Sequence, residues 1–326
     1  MNINCKNILV YGYYHKSNYS NSSNLGDNLF AEAFKNIFPN YSFTFTSYLN
    51  KDNINKADAI FFGGGSFCYD KININEEDFK LLKTKKIFYI GVGIEKYIHP
   101  MHIECIKLAK LVAIRTEAEV ARLQAINPNS IFLPDIVYGL NNLVKISEPT
   151  KSVLILPNIL VVPQNNSAGW MHSSWNYFKS EFSQFLDYLV DNKYDINFFS
   201  MCNSNILNDK NAATEIINCM SKRNDYIINS SAETISELTE LFSKYSVIIT
   251  QRFHGIVLAE MAKTSYIAIH HHDKLKFAKP NNGAFLSYYG LYKQQLIDTF
   301  NSLNKISDNI DDSLFKNLQI QVDKLI

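Results

Sequence analysis

Short apolar segments alternate with longer amphipathic segments along most of this chain of 326 residues. The short segments are rich in β-branched and aromatic residues, as in AIFF at 59–62 and VIIT at 247–250. Segments that are apolar on both faces are typical of strands in a parallel sheet that helices cover on both sides. The alternation therefore predicts βαβ units and an α/β fold with mostly parallel sheets.

Two rounds of this alternation are present, and a polar stretch between residues 140 and 151 separates them. The predicted strands lie at 7–13, 41–46, 59–62, 86–91, 112–115, 130–133, 152–156, 195–201, 247–250 and 266–270. The predicted helices lie at 25–37, 103–111, 117–126, 174–190, 212–221, 235–244, 255–263 and 313–325. We expect two Rossmann-like domains, residues 1–145 and 146–305, and a C-terminal helix within 306–326 that packs back on the first domain.

Charge and cysteine content narrow the class of protein. The 32 Lys and Arg residues balance 31 Asp and Glu residues, which argues against nucleic acid as a partner. The five cysteines form no CxxC motif, which favours a reducing compartment over a disulfide framework. The N-terminus lacks the layout of a signal peptide, and the longest apolar stretch, 152–163, is far shorter than the roughly 20 residues of a membrane span. We expect a cytoplasmic protein without a transmembrane helix, with peripheral contact at the inner membrane face left open.

Several polar or glycine-rich features follow predicted strands, at the edge where open α/β sheets bind ligands. Asn24, Gly26 and Asp27 stand at the start of the first predicted helix. Asn24 or Asp27 fits a helix-capping role, whereas a functional reading makes Asp27 a base or an acceptor for substrate hydroxyls. Gly63, Gly64, Gly65 and Ser66 follow the strand AIFF, and this glycine run suits a tight turn and a ligand equally well. It matches neither GxGxxG nor a P-loop, so a dinucleotide site is unsupported.

Two arginines also lie at strand ends. Arg115 ends the segment VAIR, where it is expected to pair with Glu117 or Glu119 or to bind an anion. Arg252 and His254 follow VIIT and precede a helix that begins near Gly255. A guanidinium, an imidazole and the N–H groups of a helix N-terminus together favour a phosphate or a carboxylate. The alternative for His254 is a core histidine that donates to a backbone carbonyl.

Aromatic and histidine-rich segments complete the candidates. Three successive histidines at 270–272 point to opposite faces of a strand, so a metal site is not expected there. Lys274 follows that strand and is placed to reach an anion. Trp170, His172 and Trp175, on a long loop predicted at 157–172 and the helix after it, suit either a sugar-stacking wall or a packing lid.

In its order of motifs the chain resembles the polysaccharide pyruvyl transferase family. The matching pieces are Asn24-x-Gly26-Asp27, Gly63-Gly64-Gly65, Gly91-Val92-Gly93, Arg115, Pro134-Asp135 and Arg252-x-His254-Gly255 followed by Ala259. The resemblance implies a glycosyltransferase-B-like fold whose two Rossmann-like domains enclose a cleft, with the acceptor on the N-terminal side and the donor on the C-terminal side. It implies transfer of a pyruvyl group from phosphoenolpyruvate to a pair of sugar hydroxyls, which forms a ketal.

The resemblance also implies roles for individual residues. Arg252 would clamp the donor, His254 would be the acid or a phosphate ligand, and Asp27 would be the base. The implied donor-binding residues are Arg115, Arg252, His254, Gly255 and Lys274. The implied acceptor or cleft residues are Asn24, Gly26, Asp27, Gly63, Gly64, Gly65, Ser66 and Asp135. The scheme uses phosphoenolpyruvate as co-substrate and requires no cofactor and no metal.

The partners implied are phosphoenolpyruvate and a sugar or glycan acceptor, with lipid-linked, nucleotide-linked and finished glycans all open. The chain is also compatible with an oligomer. Two other functions fit the same architecture. One is a glycosyltransferase that uses a nucleotide sugar, and the other is a sugar- or anion-binding protein without catalytic activity.

Overall fold

A computed structural model describes residues 6–12, 24–68, 74–203, 208–222, 226, 228–229, 232–272, 275, 282–304 and 311–326. The chain divides into two compact units. The first unit consists of residues 1–19, 27–142 and 311–326, and the second of residues 20–26 and 143–310. The chain passes from the first unit to the second at 142–143, and the C-terminal helix is part of the first unit.

The first unit contains a parallel sheet with strands in the order β2-β1-β3-β5-β6-β7, and β4 pairs with β5. Its strands are β1 (Asn7–Tyr11), β2 (Ser42–Thr46), β3 (Ala59–Gly63), β4 (Ser66–Cys68), β5 (Lys86–Ile94), β6 (Leu111–Ile114) and β7 (Ser130–Phe132). The helices up to the end of this sheet are α1 (Leu25–Ile37), α2 (Lys51–Lys56), α3 (Glu76–Leu82), α4 (Pro100–Leu108) and α5 (Val120–Gln124). The strand order reverses between β1 and β3, as in doubly wound sheets.

The second unit contains a parallel sheet in the order β10-β9-β8-β11-β12-β13, which is the Rossmann order with its reversal between β8 and β11. Its strands are β8 (Thr150–Leu156), β9 (Asp195–Phe199), β10 (Ile228–Asn229), β11 (Tyr245–Thr250), β12 (Ser265–His270) and β13 (Ala284–Ser287). Its helices are α6 (Gly169–Asp191), α7 (Asp209–Cys219), α8 (Ile235–Ser243), α9 (Phe253–Met261) and α10 (Lys293–Asn301). The α/β class with two mostly parallel sheets is therefore confirmed.

Each unit has its own hydrophobic core. In the first unit, the ring of Phe62 stacks on Tyr89 at 4.6 Å, and Phe61 packs on Phe88 at 5.2 Å. In the second unit, helix α6 buries Phe178, Phe182, Phe185, Leu186 and Leu189 against the sheet. Each fully buried side chain of this size stabilises the fold by roughly 1.5–3 kcal/mol. These cores hold the strand ends in place.

The last helix, α11 (Ser313–Leu325), is amphipathic and buries Phe315, Leu318 and Val322 in the first unit. Asp323 on this helix accepts a hydrogen bond of 2.5 Å from the hydroxyl of Tyr41, and Lys86 Nζ donates to the carbonyl of Ile326 at 2.8 Å. Within the described parts of the chain, no helix is both long and apolar enough to cross a membrane.

Candidate active site

The second sheet ends in a polar turn at its reversal point, between β8 and β11. The N–H of Gln251 donates to the carbonyl of Leu156 at 3.0 Å, which joins the ends of the two strands. The hydroxyl of Thr250 accepts the N–H of Arg252 at 2.9 Å and fixes the turn into α9. A Cβ at Gly255 would overlap the Thr250 hydroxyl, so this tight turn requires glycine at that position.

Arg252 forms an ion pair with Asp209, the first residue of α7. Arg252 Nε lies 3.1 Å from Asp209 Oδ2, and Nη2 contacts Oδ1, so the contact is bidentate. The side chain of Arg252 is 14% exposed and that of Asp209 is fully buried. Nη1 of Arg252 takes no part in this contact, which leaves that end of the guanidinium for a ligand.

Asp209 is a site residue that sequence reasoning missed, because the helix was predicted to begin three residues later. Its Oδ1 accepts the N–H of Ile159, and its Oδ2 accepts the N–H of Cys202, both at 3.0 Å. Ile159 follows β8, Cys202 follows β9 and Arg252 follows β11. One buried carboxylate therefore ties together the ends of three strands. The sequence did contain a signal for this helix start, namely Asn208 followed by Asp209. Asn is favoured at the N-cap position and Asp in the first turn of a helix.

His254 packs against the backbone of Gly26. A Cβ at residue 26 would overlap Nδ1 of the imidazole, so only glycine leaves room for the ring. On its other side, the ring contacts Phe253 edge-on at 5.5 Å between centroids. The Arg-x-His segment thus contacts the Asn-x-Gly segment near the N-terminus.

Residues 24–26 are held at the end of β9. Asn24 forms an antiparallel bridge with Cys202, and the N–H of Leu25 donates to the carbonyl of Met201 at 2.9 Å. The Asn24 side chain accepts the N–H of Gly26 at 3.2 Å. Asp209, the partner of Arg252, accepts the N–H of Cys202. The segment that contains Gly26, the partner of His254, is bonded to Met201 and Cys202. The partners of both side chains are therefore attached to the same short stretch of chain after β9.

The N-terminus of α9 adds positive potential at this place. Arg252 occupies the N-cap position but makes no side-chain capping hydrogen bond. The N–H groups of the first turn carry the positive end of the helix dipole. An arginine end, an imidazole and this helix N-terminus form a suitable environment for an anionic group.

A second polar residue of the turn, Gln251, is almost completely buried at 3% exposure. Its Oε1 accepts the N–H of Asn158 at 3.0 Å, and this contact fixes the orientation of the amide. Among the described residues, its Nε2 has no hydrogen-bond partner. Buried polar atoms of this kind are rare in folded proteins and often bind water or a ligand.

In the first unit, the structure brings together two of the predicted site residues, Arg115 and Asp135. Nη1 of Arg115 contacts Oδ2 of Asp135, and both side chains are buried. Asp135 also accepts the N–H of Val137 at 3.0 Å. Asp135 lies next to Arg115 because the parallel strands β6 and β7 end side by side, and Glu119 pairs with Arg122.

The glycine run after β3 receives helix α1. A Cβ at Gly63 would overlap the ring of Phe34, and a Cβ at Gly64 would lie 2.6 Å from the ring of Phe30. Gly64 and Gly65 have φ of +82° and +72°, which glycine adopts without strain. Ser66 follows in β4, opposite Gly93. The run therefore has a packing role, with the aromatic rings of α1 occupying the space beside Gly63 and Gly64.

The remaining candidates from the sequence are Asp27, Lys274 and the three aromatic or histidine residues near the start of α6. Asp27 lies in the first turn of α1 and is 9% exposed. Lys274 is outside the described residues. Trp175 is buried at 2% exposure and donates its indole N–H to Glu215 at 2.7 Å, so it cannot belong to a sugar-stacking wall. Helix α6 begins at Gly169, which also places Trp170 and His172 on a helix and not on the predicted loop.

No group of three or more His, Cys, Asp and Glu side chains within the described ranges is arranged to hold a metal ion. His270 is the last residue of β12, and its carbonyl accepts the N–H of Tyr288 at 2.9 Å.

Comparison with known protein families decides the class. The profile of the family described as polysaccharide pyruvyl transferase matches residues 24–273 of the 326. The chain belongs to the polysaccharide pyruvyl transferase family. Gly26 lies near the start of this match and His254 near its end, so the contact between them joins its two extremes. No curated protein sequence matches the chain.

Several solved structures are similar in fold to this member of the polysaccharide pyruvyl transferase family. UDP-GlcNAc 2-epimerase from Methanocaldococcus jannaschii is 9% identical with a TM-score of 0.55, over 98% of each chain. The enzyme from Neisseria meningitidis, bound to UDP-GlcNAc, is 9% identical with a TM-score of 0.55, over 98% of this chain and 99% of that chain. Alr3699/HepE of Anabaena in complex with UDP-glucose is 12% identical with a TM-score of 0.50, over 98% and 95%. These similarities confirm a glycosyltransferase-B-like α/β fold.

Proposed function

We propose that this protein transfers a pyruvyl group from phosphoenolpyruvate to two hydroxyls of a sugar, forming a pyruvate ketal in glycan biosynthesis. The observation that carries the proposal is the ion pair of Arg252 with Asp209, beside His254 and the N-terminus of α9. All of these residues lie within the family match. The proposal takes phosphoenolpyruvate as the co-substrate and requires no further cofactor.

Recognition of the donor follows from its charge. Phosphoenolpyruvate carries a carboxylate and a phosphate, and both require N–H donors and positive potential. Asp209 holds Nε and Nη2 of Arg252, so the guanidinium is oriented before the donor binds and presents Nη1 to it. A guanidinium that is already held in position loses less conformational entropy when its ligand binds.

The chemistry proceeds in three steps. A proton is added to C3 of phosphoenolpyruvate, and a sugar hydroxyl attacks the electrophilic C2 that results. The C2–O bond to phosphate then breaks, and inorganic phosphate leaves with the electron pair of that bond. A second hydroxyl attacks C2 and closes the ketal. One proton is added at C3 and two are released from the hydroxyls, and the remaining proton leaves on the inorganic phosphate, so the reaction needs one acid and one base.

We assign three roles on this basis. His254 delivers the proton to C3 or binds the departing phosphate, and Arg252 holds the anionic donor. Asp27, in the first turn of α1, is the proposed base for the hydroxyls. Lys274 is kept as a further candidate ligand of phosphoenolpyruvate, because it follows the strand predicted at 266–270. Arg115 has its guanidinium engaged by Asp135, so the scheme does not depend on its contact with the donor.

The experiment is an assay of phosphate release by the purified protein, with phosphoenolpyruvate and a panel of simple glycosides. We expect turnover by the natural sequence and a loss of roughly 100-fold or more in Arg252→Lys and His254→Gln. Arg122→Lys is the matched control, because this arginine forms an exposed ion pair with Glu119. Full activity of Arg252→Lys would remove Arg252 from the donor site.

A nucleotide-sugar glycosyltransferase is the alternative, since structures with this fold have been solved with UDP-GlcNAc and with UDP-glucose. Thermal unfolding separates the two functions, because a ligand that binds only the folded state raises the Tm by an amount that grows with the logarithm of its concentration over Kd. We expect phosphoenolpyruvate to raise the Tm and UDP-glucose to leave it unchanged. The reverse result would favour the alternative.

A further inference from the structure

Helix α6 presents aromatic side chains to solvent. Trp170 is 60% exposed and Tyr177 is 46% exposed. Residues seven apart lie on the same side of a helix, about 10 Å apart along its axis. Ser174 lies between them on that side, four residues after Trp170. Exposed apolar residues that cluster on a surface are typical of binding sites, whereas single ones are common on any protein.

Two further exposed tyrosines lie near α6. Glu181, one turn after Tyr177, accepts the N–H of Lys293 at 2.8 Å, which brings the start of α10 against the helix. Tyr292 precedes that residue and is 50% exposed, and Tyr289 is 54% exposed. We call Trp170, Tyr177, Tyr289 and Tyr292 the aromatic face.

The aromatic face has a rigid base. Trp175 and Phe178 stack beneath it at 5.7 Å, and Tyr288 packs on Phe178 at 4.8 Å and on Tyr289 at 5.1 Å. Glu215 accepts hydrogen bonds from Trp175 and, at 2.9 Å, from Lys179. The backbone that carries the exposed rings is therefore fixed before any ligand arrives, which lowers the entropic cost of binding.

The charge of the surface distinguishes between classes of partner. The exposed positions of the first half of α6 carry no carboxylate, ammonium or guanidinium group; they are Gly169, Trp170, Ser173, Asn176, Tyr177 and Ser180. An anionic membrane surface is bound through clustered Lys and Arg beside the aromatic residues, and this stretch has none exposed. Aromatic rings alternating with hydroxyl and amide groups match an uncharged ligand that has apolar faces and many hydroxyls.

We propose that the aromatic face binds the sugar units of a neutral glycan. The C–H faces of pyranose rings stack on Trp170 and Tyr177. The distance between these two side chains is longer than one sugar ring and therefore suits an oligosaccharide. The inference rests on the proposed function, because a glycan acceptor is what that function supplies. It adds a second contact for the acceptor, on helix α6, away from the reacting hydroxyls.

Tryptophan fluorescence tests this site directly. The chain has only two tryptophans, and Trp175 is buried, so a change on binding reports on Trp170. The full-length protein is titrated with neutral gluco- and galacto-oligosaccharides, and with the corresponding monosaccharides for comparison. We expect a spectral shift with at least one oligosaccharide and a Kd at least tenfold weaker for its monosaccharide.

Variants then locate the binding. Calorimetry is used to compare Tyr177→Ala and Trp170→Ala with Tyr97→Ala, which changes a tyrosine that is 72% exposed in the first unit. We expect the first two variants to weaken oligosaccharide binding at least tenfold and the third to leave it unchanged. Equal binding by all three variants, or no oligosaccharide binding by the natural sequence, would overturn the proposal.

Two other occupants are tested in parallel. Binding to phosphatidylglycerol vesicles that is lost in Trp170→Ala, or a dimer that dissociates in Trp170→Ala, would each overturn the glycan assignment. Phosphate release with a monosaccharide acceptor separates this proposal from the previous one. Oligosaccharide binding without phosphoenolpyruvate turnover rejects the proposed function alone, and turnover without oligosaccharide binding rejects the aromatic face alone.

Discussion

The imidazole of His254 occupies the space in which a side chain at Gly26 would begin. The two residues are far apart in the chain, yet the bridge between Asn24 and Cys202 holds the Gly26 segment beside β9, where the ring meets it. A glycine in the Asn-x-Gly-Asp segment and a histidine in the Arg-x-His segment thus depend on each other. Both short segments lie within the part of the chain that matches the family.

Gly26→Ala tests that dependence. The added methyl group must displace the imidazole, so we expect phosphate release to fall by at least tenfold and stability to fall by roughly 1–3 kcal/mol. Gly169→Ala is the control, because a Cβ there meets no atom within 4 Å. Activity and urea unfolding are measured for both variants. Normal turnover by Gly26→Ala would show that the position of His254 is unimportant.

Asp209→Asn tests the carboxylate that joins three strand ends. Loss of its charge leaves Arg252 without its buried counter-ion, and breaking such a pair costs roughly 3–5 kcal/mol. We expect urea unfolding to show a loss of that size and the KM for phosphoenolpyruvate to rise. Asp195→Asn, at an exposed position in β9, should change stability by less than about 0.5 kcal/mol. Similar small effects in both variants would contradict this role of Asp209.

Variants of the buried pair of Arg115 and Asp135 distinguish a structural role of Arg115 from binding of phosphoenolpyruvate. Asp135→Leu alone removes the carboxylate that pairs with a buried guanidinium, and we expect a loss of roughly 3–5 kcal/mol in the free energy of unfolding. The double variant Arg115→Met with Asp135→Leu should recover most of that loss. If Arg115 binds the donor, as the family resemblance implies, the double variant folds but does not release phosphate. Retained activity would assign the pair to stability alone.

His102 makes stability depend on pH. It is 1% exposed in α4, and burial lowers its pKa from 6.5 to about 4. Between these values the unfolded chain binds more protons than the folded one, so the free energy of unfolding rises with pH. Lowering the pH from about 7 to about 5 should therefore cost about 2 kcal/mol from this group.

His102→Phe provides the comparison for that effect. The replacement ring still fits beside Phe62 and Tyr89 but cannot take up a proton. We expect urea unfolding of this variant to vary with pH by about 2 kcal/mol less than the natural sequence over the same range. Parallel pH profiles for the two proteins would show that another group is responsible.

Elements with strong apolar periodicity were predictable from the sequence. The bounds of α1 and α11 are those expected, because each helix has a clear buried stripe. Short polar elements were not predicted. Helix α2, KDNINK, buries only Ile54 and depends on a capping box between Asn50 and Asn53. Its apolar pattern is too short to show a period.

The sequence by itself determined the fold class and the strand ends at which Arg252, His254 and Arg115 stand, since alternation of apolar runs is a local property. Only the tertiary structure decided their partners, Asp209, Gly26 and Asp135. Neighbouring strands of a parallel sheet are joined by crossover connections, so residues that meet at its edge lie many positions apart in the chain. Which strands adjoin, and therefore which charges are paired, depends on the packing of the whole sheet.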